Sequence, residues 1–221
     1  MIVLLSGGQD STTCLHWSLR AWGGTATRLD EIEPAPRALF VDYGQRHLRE
    51  RESAIRIATE AYVPIDFVKI EWAIESALTT TGAVIGKRPD GLPSTFVPAR
   101  NAVLLALAAG LAKQHGHRDI VIGCSAVDFS GYPDCRPGFL AKQAAALSDG
   151  VDQEIRVVAP LIDRSKAQTV RLARELGPEA WRALGISWTC YLGGDRPCGT
   201  CPACVLRAKG FAEAGEEDPA L

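Results

Sequence analysis

Four cysteines near the carboxyl terminus have the spacing of a metal site. Cys190, Cys198, Cys201 and Cys204 follow the pattern C-x7-C-x2-C-x2-C, with glycines and prolines between them. A backbone that turns this tightly can direct four thiolates to one point, as a tetrahedral zinc ion requires. A closed four-sulfur site has no open position, so we expect the zinc to be structural. Two disulfides or a redox pair are the alternatives, and nothing else in the sequence indicates an oxidising compartment.

The amino terminus carries a second pattern, which is typical of phosphate binding. The apolar run Ile2 to Leu5 is followed by Ser-Gly-Gly-Gln-Asp-Ser-Thr-Thr, and apolar positions then recur at helical spacing from Cys14 to Trp22. A strand, a small-residue loop and a helix in this order direct backbone N–H groups and the positive end of a helix dipole to one spot. We expect Asp10 to offer a hard oxygen to Mg²⁺. The predicted phosphate-binding residues are Leu5, Ser6, Gly7, Gly8, Gln9, Asp10, Ser11 and Thr12. A turn with a helix cap is the alternative.

Two basic residues are predicted at the starts of helices. Arg100 precedes a very apolar helix, with Asn101 as its candidate N-cap, and Lys166 follows Ser165, the predicted N-cap of a later helix. A cation at a helix start opposes the helix dipole unless an anion lies near it. A guanidinium in that place is also suited to two-pronged binding of a phosphate or a carboxylate. Both residues are therefore candidates for binding an anionic ligand.

The segment Asp-Phe-Ser-Gly-Tyr-Pro-Asp-Cys-Arg predicts a ligand-recognition loop. It follows a predicted strand and offers two carboxylates, a hydroxyl, a phenol and a guanidinium within nine residues. If the ligand is a guanine-like base, either carboxylate can accept from its ring N–H and exocyclic amine, while the guanidinium suits a ligand carboxylate. The sequence leaves open which carboxylate does so, and a solvated turn is the alternative. The candidate substrate-binding residues are Asp128, Ser130, Tyr132, Asp134 and Arg136.

The elements that must position these groups alternate between strands and helices. Predicted strands are Ile2 to Leu5, Ala38 to Val41, Asp66 to Ile70, Asp119 to Ile122 and Ile155 to Ala159. Predicted later helices are Leu48 to Ala61, Asn101 to Gln114, Gly138 to Leu147 and Lys166 to Leu176. This alternation predicts an α/β fold: a parallel five-stranded sheet with helices on both faces. We expect an ATP-binding domain of residues 1–185 with a small zinc-binding segment, residues 186–221, packed on it.

Two further segments lie outside this alternation. Trp72 to Ser94 is predicted to be a long loop over the site or near a subunit contact, and Gly215 to Leu221 a frayed acidic tail.

Composition limits the class of function. The chain has 221 residues, 47% of them hydrophobic, and a formal net charge of −2. No apolar run approaches the roughly eighteen residues that span a bilayer, and no signal peptide is recognisable. The slight acidity argues against a broad nucleic-acid surface, because phosphate contacts supply most of that affinity. We therefore expect a cytoplasmic protein with a small-molecule substrate, and no membrane or nucleic-acid partner.

These segments, in this order, resemble the 7-cyano-7-deazaguanine synthase family, whose members have a phosphate loop like that of the ATP pyrophosphatases. The resemblance covers essentially the whole chain, including Tyr-Gly-Gln-Arg-His from Tyr43 and Phe-Val-Pro-Ala-Arg-Asn from Phe96. Two departures occur: many members have glycine where Ala99 stands, and the run from Cys124 differs from the Gly-Val-Cys-Glu-Thr often found there. The resemblance implies a fold like that of the adenine nucleotide alpha hydrolases, which is Rossmann-like.

The resemblance also implies a reaction. The family converts 7-carboxy-7-deazaguanine, ATP and ammonia into the corresponding nitrile. By this resemblance Asp10 helps to hold Mg²⁺, while Lys166 and Arg100 offset charge on the pyrophosphate, so these three are the candidate catalytic residues. A homodimer is plausible, and whether ATP ends as AMP or ADP stays open.

Three other functions are weighed against this one. An enzyme of tRNA sulfur chemistry would need a catalytic cysteine and a basic face. A paralogue with the same ATP chemistry would act on an acceptor linked to protein or nucleic acid. A non-enzymatic zinc knuckle that binds nucleic acid would leave the ATP loop unexplained.

Overall fold

Five strands form one parallel sheet in the described part of the chain. The computed structural model describes residues 1–25, 34–71, 74–80, 82–125 and 132–221. The strands are β1 (Ile2–Leu4), β2 (Arg37–Asp42), β3 (Ile65–Lys69), β4 (Asp119–Val121) and β5 (Arg156–Val158), in the order β3-β2-β1-β4-β5. Val3 pairs with Ala38 on one side and with Val121 on the other. The predicted five-stranded parallel sheet is confirmed.

Helices cover both faces of this sheet. They are α1 (Gln9–Thr25), α2 (Arg49–Glu60), α3 (Arg100–His115), α4 (Pro137–Val151), α5 (Lys166–Glu175), α6 (Pro178–Ile186) and α7 (Pro202–Ala214). Ile2 and Leu4 pack in the apolar cluster that holds Leu105 of α3. Val3, between them, packs in the cluster on the opposite face that holds Ile57 of α2. Successive side chains of a strand point to opposite faces, so β1 joins both clusters.

The helices differ from the predicted ones in two respects. α1 begins at Gln9 rather than at Cys14, so Asp10 lies in its first turn and not in a loop. A carboxylate is stabilised there by the helix dipole, which explains the earlier start. α6 and α7 are absent from the predicted helices, although each begins with a proline, Pro178 and Pro202, at a position that favours a helix start. Within the described residues, no helix is both long and apolar enough to cross a membrane.

The carboxyl-terminal tail is packed, which contradicts the predicted frayed end. The Asp218 carboxylate accepts two hydrogen bonds from the Arg207 guanidinium, at 2.6 and 2.8 Å. Both side chains are more than nine-tenths buried. Arg207 also donates to the hydroxyl of Ser187 and to the carbonyl of Leu184. The tail is therefore anchored to the end of α6 by a satisfied buried ion pair, a contact that its acidic composition does not indicate.

Candidate active site and zinc centre

A cavity of about 650 Å³ lies at the carboxyl ends of β1, β2 and β4. The starts of α3 and α5 and the predicted zinc-binding segment form further walls. Leu78 and Pro93, from the loop predicted to lie over the site, also line it; residues 72, 73 and 81 of that loop lie outside the described residues. In parallel α/β sheets this end of the strands is where ligands bind. The cavity is therefore the candidate active site.

The predicted phosphate loop forms one wall of this cavity. Gly7 has a φ of 83°, and a Cβ at this position would lie 2.2 Å from the carbonyl oxygen of Glu50 in α2. Only glycine allows that backbone and that approach. The hydroxyls of Ser11 and Thr12 donate to the carbonyl of Gly8, at 3.0 and 2.8 Å. The Thr12 hydroxyl thus holds the loop closed, whereas Ser6, Gly8 and Ser11 line the cavity itself.

Asp10 and Lys166 are ion-paired within the cavity. Nζ of Lys166 lies 2.5 Å from Oδ2 of Asp10, and both side chains are mostly buried. Lys166 is the first residue of α5, whose N-cap is Ser165, as predicted, with Gln168 completing a capping box. The structure therefore brings together two predicted catalytic residues that are 156 positions apart in the chain.

Two polar groups on the same wall have no hydrogen-bond partner among the described residues. The carboxamide of Gln9 is buried and lines the cavity, yet neither its oxygen nor its nitrogen is bonded. Oδ1 of Asp10 is also buried without a partner. Unsatisfied buried polar atoms cost about 1–3 kcal/mol each. A ligand that supplies donors and acceptors, or a cation at Oδ1 of Asp10, would remove that cost.

A glycine in the zinc-binding segment allows α7 to approach Lys166. A Cβ at Gly210 would lie 2.6 Å from Cβ of Lys166, so α7 packs directly on the first turn of α5. Lys209, the preceding residue of α7, lines the cavity. The zinc-binding segment thus helps to fix the position of a predicted catalytic lysine, which sequence patterns do not reveal.

Arg100 lies among aromatic side chains. Its guanidinium is 5.9 Å from the ring centre of Tyr43 and 5.7 Å from that of Tyr132. Burial opposes its charge, but Tyr43 and Tyr132 outweigh burial and leave the pKa of Arg100 above its ordinary value. Among the described residues no carboxylate lies within ion-pair distance of it. The geometry therefore holds a permanent cation in the cavity wall, available to an anionic ligand.

The backbone before Arg100 is strained. Ala99, the N-cap of α3, has a φ of 62° in the left-handed region. That region favours glycine, because a Cβ is disfavoured there. The prediction that Asn101 caps this helix is wrong, because Asn101 lies inside its first turn.

The recognition segment is divided between the cavity and the protein interior. Tyr132, a candidate substrate-binding residue, lines the cavity. Asp134 is buried and accepts a hydrogen bond from the backbone N–H of Asn101, so this carboxylate stabilises the start of α3. Arg136 is exposed and does not line the cavity. Asp128 and Ser130 lie outside the described residues.

Glu50 is a cavity residue that the sequence analysis did not single out. It lies in the first turn of α2, three residues after the end of the polar segment Asp42-Tyr-Gly-Gln-Arg-His, and lines the cavity. Burial raises the pKa of its carboxyl to about 7, although the guanidinium of Arg100 acts in the opposite direction. Glu50 could have been identified from the sequence as a carboxylate in the first turn of a helix that follows a polar strand end.

The four predicted zinc ligands converge. The Sγ atoms of Cys190, Cys198, Cys201 and Cys204 all lie within 4.8 Å of one another, and those of Cys198 and Cys204 are 3.9 Å apart. Tetrahedral zinc, with Zn–S bonds of about 2.3 Å, needs sulfur atoms about 3.8 Å apart. The residues therefore fit the ion.

Backbone N–H groups support two of these sulfurs, those of Cys190 and Cys198, as thiolates. The N–H groups of Leu192 and Cys198 lie 3.4 Å from Sγ of Cys190. The N–H of Cys201, with that of Thr200, lowers the pKa of Cys198 to about 6. Hydrogen bonds of this kind orient ligands and tune a metal site. None of the four sulfurs is disulfide-bonded.

Comparisons with known proteins place the chain in a family. The family model described as "Queuosine biosynthesis protein QueC" matches residues 1–215. The chain belongs to this family. A 7-cyano-7-deazaguanine synthase of Chromobacterium violaceum is 45% identical, with 99% of this chain and 91% of the relative covered. One of Laribacter hongkongensis is 46% identical over 100% and 93%, and one of Thermoplasma acidophilum is 38% identical over 99% and 90%.

Membership of the QueC family makes the chain an enzyme of a queuosine-biosynthesis family. It removes the non-enzymatic zinc knuckle from the alternatives and confirms the resemblance drawn from the motifs. The cavity is accordingly the candidate active site of an enzyme, and the cysteine cluster is compatible with a structural zinc ion.

Proposed function

We propose that this protein converts 7-carboxy-7-deazaguanine, ATP and ammonia into 7-cyano-7-deazaguanine. Relatives that are 45% and 46% identical over nearly the whole chain carry the name of that synthase. The structural observation that carries the proposal is the cavity wall formed by Ser6, Gly8 and Ser11, where Gln9 and Asp10 leave buried polar atoms without partners. Such a wall suits a phosphorylated ligand at the start of a helix.

The reaction requires activation of the substrate carboxylate. Its oxygen is a poor leaving group, and transfer of AMP from ATP turns it into a good one that ammonia displaces to give an amide. A second transfer to the amide oxygen then allows loss of AMP and formation of the nitrile. Each of the two oxygens removed requires one ATP, with AMP and pyrophosphate as products.

The residues of the phosphate loop, Leu5 to Thr12, bind the ATP phosphates under this proposal. Lys166 offsets the charge that develops as pyrophosphate leaves, and Asp10 holds Lys166 in place through their ion pair. Mg²⁺, bound at the second oxygen of Asp10, would neutralise part of the phosphate charge. No covalent protein nucleophile is needed, so the enzyme acts by positioning and electrostatics.

Arg100 binds the carboxylate of the base in this proposal, instead of the pyrophosphate expected from the sequence. Its guanidinium lies between Tyr43 and Tyr132, and Tyr132 belongs to the recognition segment. Tyr132 packs beside the base, while Asp128 and Ser130 remain predicted contacts. Asp134 acts indirectly, because it stabilises the helix start from which Arg100 projects. Arg136, Mg²⁺, ammonia as the nitrogen donor, a cytoplasmic location and a homodimer all stay predictions.

Mass spectrometry with labelled substrate tests the proposal. Zinc-loaded protein is incubated with 7-carboxy-7-deazaguanine labelled with ¹⁸O in its carboxylate, together with ATP, Mg²⁺ and ammonium. We expect the nitrile and AMP that carries ¹⁸O, because the carboxylate oxygen leaves with the phosphorus. Formation of ADP and of inorganic phosphate that carries ¹⁸O would show that the carboxylate is activated by phosphorylation and not by adenylation. If the folded protein consumes none of the base, the proposal is wrong and a linked acceptor becomes the next candidate.

A further inference from the structure

Nitrile formation removes protons from nitrogen. Ammonia that adds to an acyl adenylate must lose a proton to become the amide nitrogen. Adenylation of the amide oxygen releases a second N–H proton, and the adenylated amide must then lose its last N–H proton as the C–O bond to AMP breaks. The two steps in which AMP leaves need a base beside the former carboxylate carbon, and general bases of this kind contribute about 10²–10⁴-fold to rate.

Glu50 has the position that such a base requires. Of the described residues that line the cavity, only Asp10 and Glu50 carry carboxylates. Asp10 is paired with Lys166. The Glu50 carboxylate has no hydrogen bond or ion pair among the described residues. Asp134, one of the two candidate carboxylates of the recognition segment, accepts a hydrogen bond from the start of α3.

Glu50 lies beside the predicted phosphate loop and near Arg100. The backbone carbonyl oxygen of Glu50 lies so close to Gly7 of the phosphate loop that no Cβ fits at that position. Its carboxylate is near enough to Arg100 for the guanidinium to lower its pKa, yet the two form no ion pair. A substrate carboxylate bound by Arg100 and a phosphate bound by the loop would therefore meet next to Glu50.

The surroundings of Glu50 are suited to proton transfer near neutral pH. Burial raises its pKa to about 7, so the group can both take up and release a proton under ordinary conditions. The groups that face it come from three elements: Arg100 from α3, Tyr43 from the loop before α2, and Tyr191 from the zinc-binding segment. Arg100 is the one cation among them.

We propose that Glu50 is the general base that takes the N–H protons in both steps, and this rests on the proposed function. In the first step the Glu50 carboxylate accepts a proton as nitrogen bonds to the carbonyl carbon and AMP leaves with the electron pair of the C–O bond. In the second, the N–H electron pair forms the third C–N bond as AMP leaves again. Each step gives one AMP and one protonated Glu50, which returns its proton to water.

The test uses the amide as substrate, because the second step needs no ammonia. The pH dependence of turnover then reflects titration of groups on the protein and not of ammonium. Turnover by the zinc-loaded full chain is measured from pH 5.5 to 9 with the amide, ATP and Mg²⁺. In Glu50→Gln we expect kcat to fall about 10²–10⁴-fold, with calorimetric Kd for the amide changed less than about threefold. The wild type should lose kcat below about pH 7, and Glu50→Gln should lack that acid limb.

Two further variants make the result specific. Glu50→Asp keeps the carboxyl group and should retain at least about ten times the kcat of Glu50→Gln. Glu52→Gln, two residues along the same helix and mostly exposed, is the matched control and should behave as the wild type. Zinc content and melting temperature confirm that each variant is folded. If Glu50→Gln does not fold, Glu50→Asp tests the role of Glu50 in its place. The shorter side chain moves the carboxylate away from the reacting nitrogen, so a base role requires kcat to fall at least about tenfold with Kd for the amide unchanged.

The outcomes distinguish failure of the proposed role of Glu50 from failure of the proposed synthase function. A wild-type chain that forms no nitrile from either substrate overturns both. An active wild type with a fully active Glu50→Gln overturns only the role of Glu50. A variant that binds the amide much more weakly but keeps its kcat would show that Glu50 recognises the base, and would overturn its role as the base catalyst.

Discussion

Nζ of Lys166 lies 2.5 Å from Oδ2 of Asp10, which joins the first turn of α5 to the first turn of α1 inside the cavity. Each residue compensates for the other. Lys166 at a helix start opposes the dipole of α5, and the Asp10 carboxylate offsets that cost. The pair leaves Oδ1 of Asp10 buried and unbonded among the described residues, which fits a cation or a ligand donor at that atom.

Replacing Asp10 should lower turnover more than binding. In Asp10→Asn, Lys166 loses the charge of its Asp10 partner and α1 loses the carboxylate proposed to bind Mg²⁺, so we expect kcat to fall about 10²-fold or more while Kd for the base changes little. Steady-state kinetics and calorimetry measure the two quantities. Asp163→Asn, an exposed change just before Lys166 in the chain, is the control. Full activity of Asp10→Asn with Mg²⁺ would show that the assignment is wrong.

A methyl group at Gly210 should displace Lys166. In Gly210→Ala the new Cβ would meet Cβ of Lys166 at 2.6 Å, so α7 or α5 must shift. We expect a loss of about 1–3 kcal/mol in the free energy of unfolding and at least a tenfold lower kcat. Gly138→Ala, in α4 with open space around it, is the matched control. It should be neutral or slightly stabilising, by up to about 1 kcal/mol. Equal behaviour of the two variants would contradict the packing argument.

Zinc removal should destabilise the protein and open the cavity. The cysteine cluster holds the segment that supplies Trp188 and Tyr191 to the cavity wall. We expect chelation, or Cys201→Ser, to lower the melting temperature by about 10 °C or more, since each kcal/mol is worth about 2–4 °C at this size. Cys14→Ala, a buried cysteine outside the cluster, should keep one zinc per chain. An unchanged melting temperature in a sample shown to be free of zinc would refute this prediction.

The anchored tail gives a fourth prediction. Asp218→Ala leaves the buried guanidinium of Arg207 without its carboxylate, so we expect the free energy of unfolding to fall by about 3–5 kcal/mol. Urea unfolding monitored by circular dichroism measures it. Glu217→Ala, the exposed neighbouring carboxylate, should change stability by less than about 0.5 kcal/mol. Equal effects of the two substitutions would mean that the tail is not anchored through Asp218.

Local patterns were sufficient wherever a function depends on residues close together in the chain. The cysteine spacing identified all four members of the cluster, and the strand–loop–helix pattern identified the cavity wall from Ser6 to Ser11. Alternation of strands and helices predicted the parallel sheet, because such strands need a crossover helix between them. Ser165 was recognisable as an N-cap from its own residue type and its position before the helix.

Other features of the structure are decided by residues distant in the chain. Asp134 and Asn101 are 33 positions apart, and through their contact a carboxylate predicted to bind substrate also supports a helix start. Arg207 anchors the acidic tail by a similar contact, with a partner 11 residues away. Neither pairing has a local signature, since a buried ion pair or cap depends on which elements pack together.

The sequence alone predicted the family and the class of fold, which are confirmed, and it identified the four clustered cysteines and the loop that forms one cavity wall. Each of these follows from residue types at fixed short spacings. Only the tertiary structure decided which charges meet: Asp10 with Lys166, Asp134 with the start of α3, and Glu50 in the cavity without a partner. The reason is physical. The charge state and availability of a side chain depend on burial and on neighbours brought together by packing, and these are properties of the folded chain.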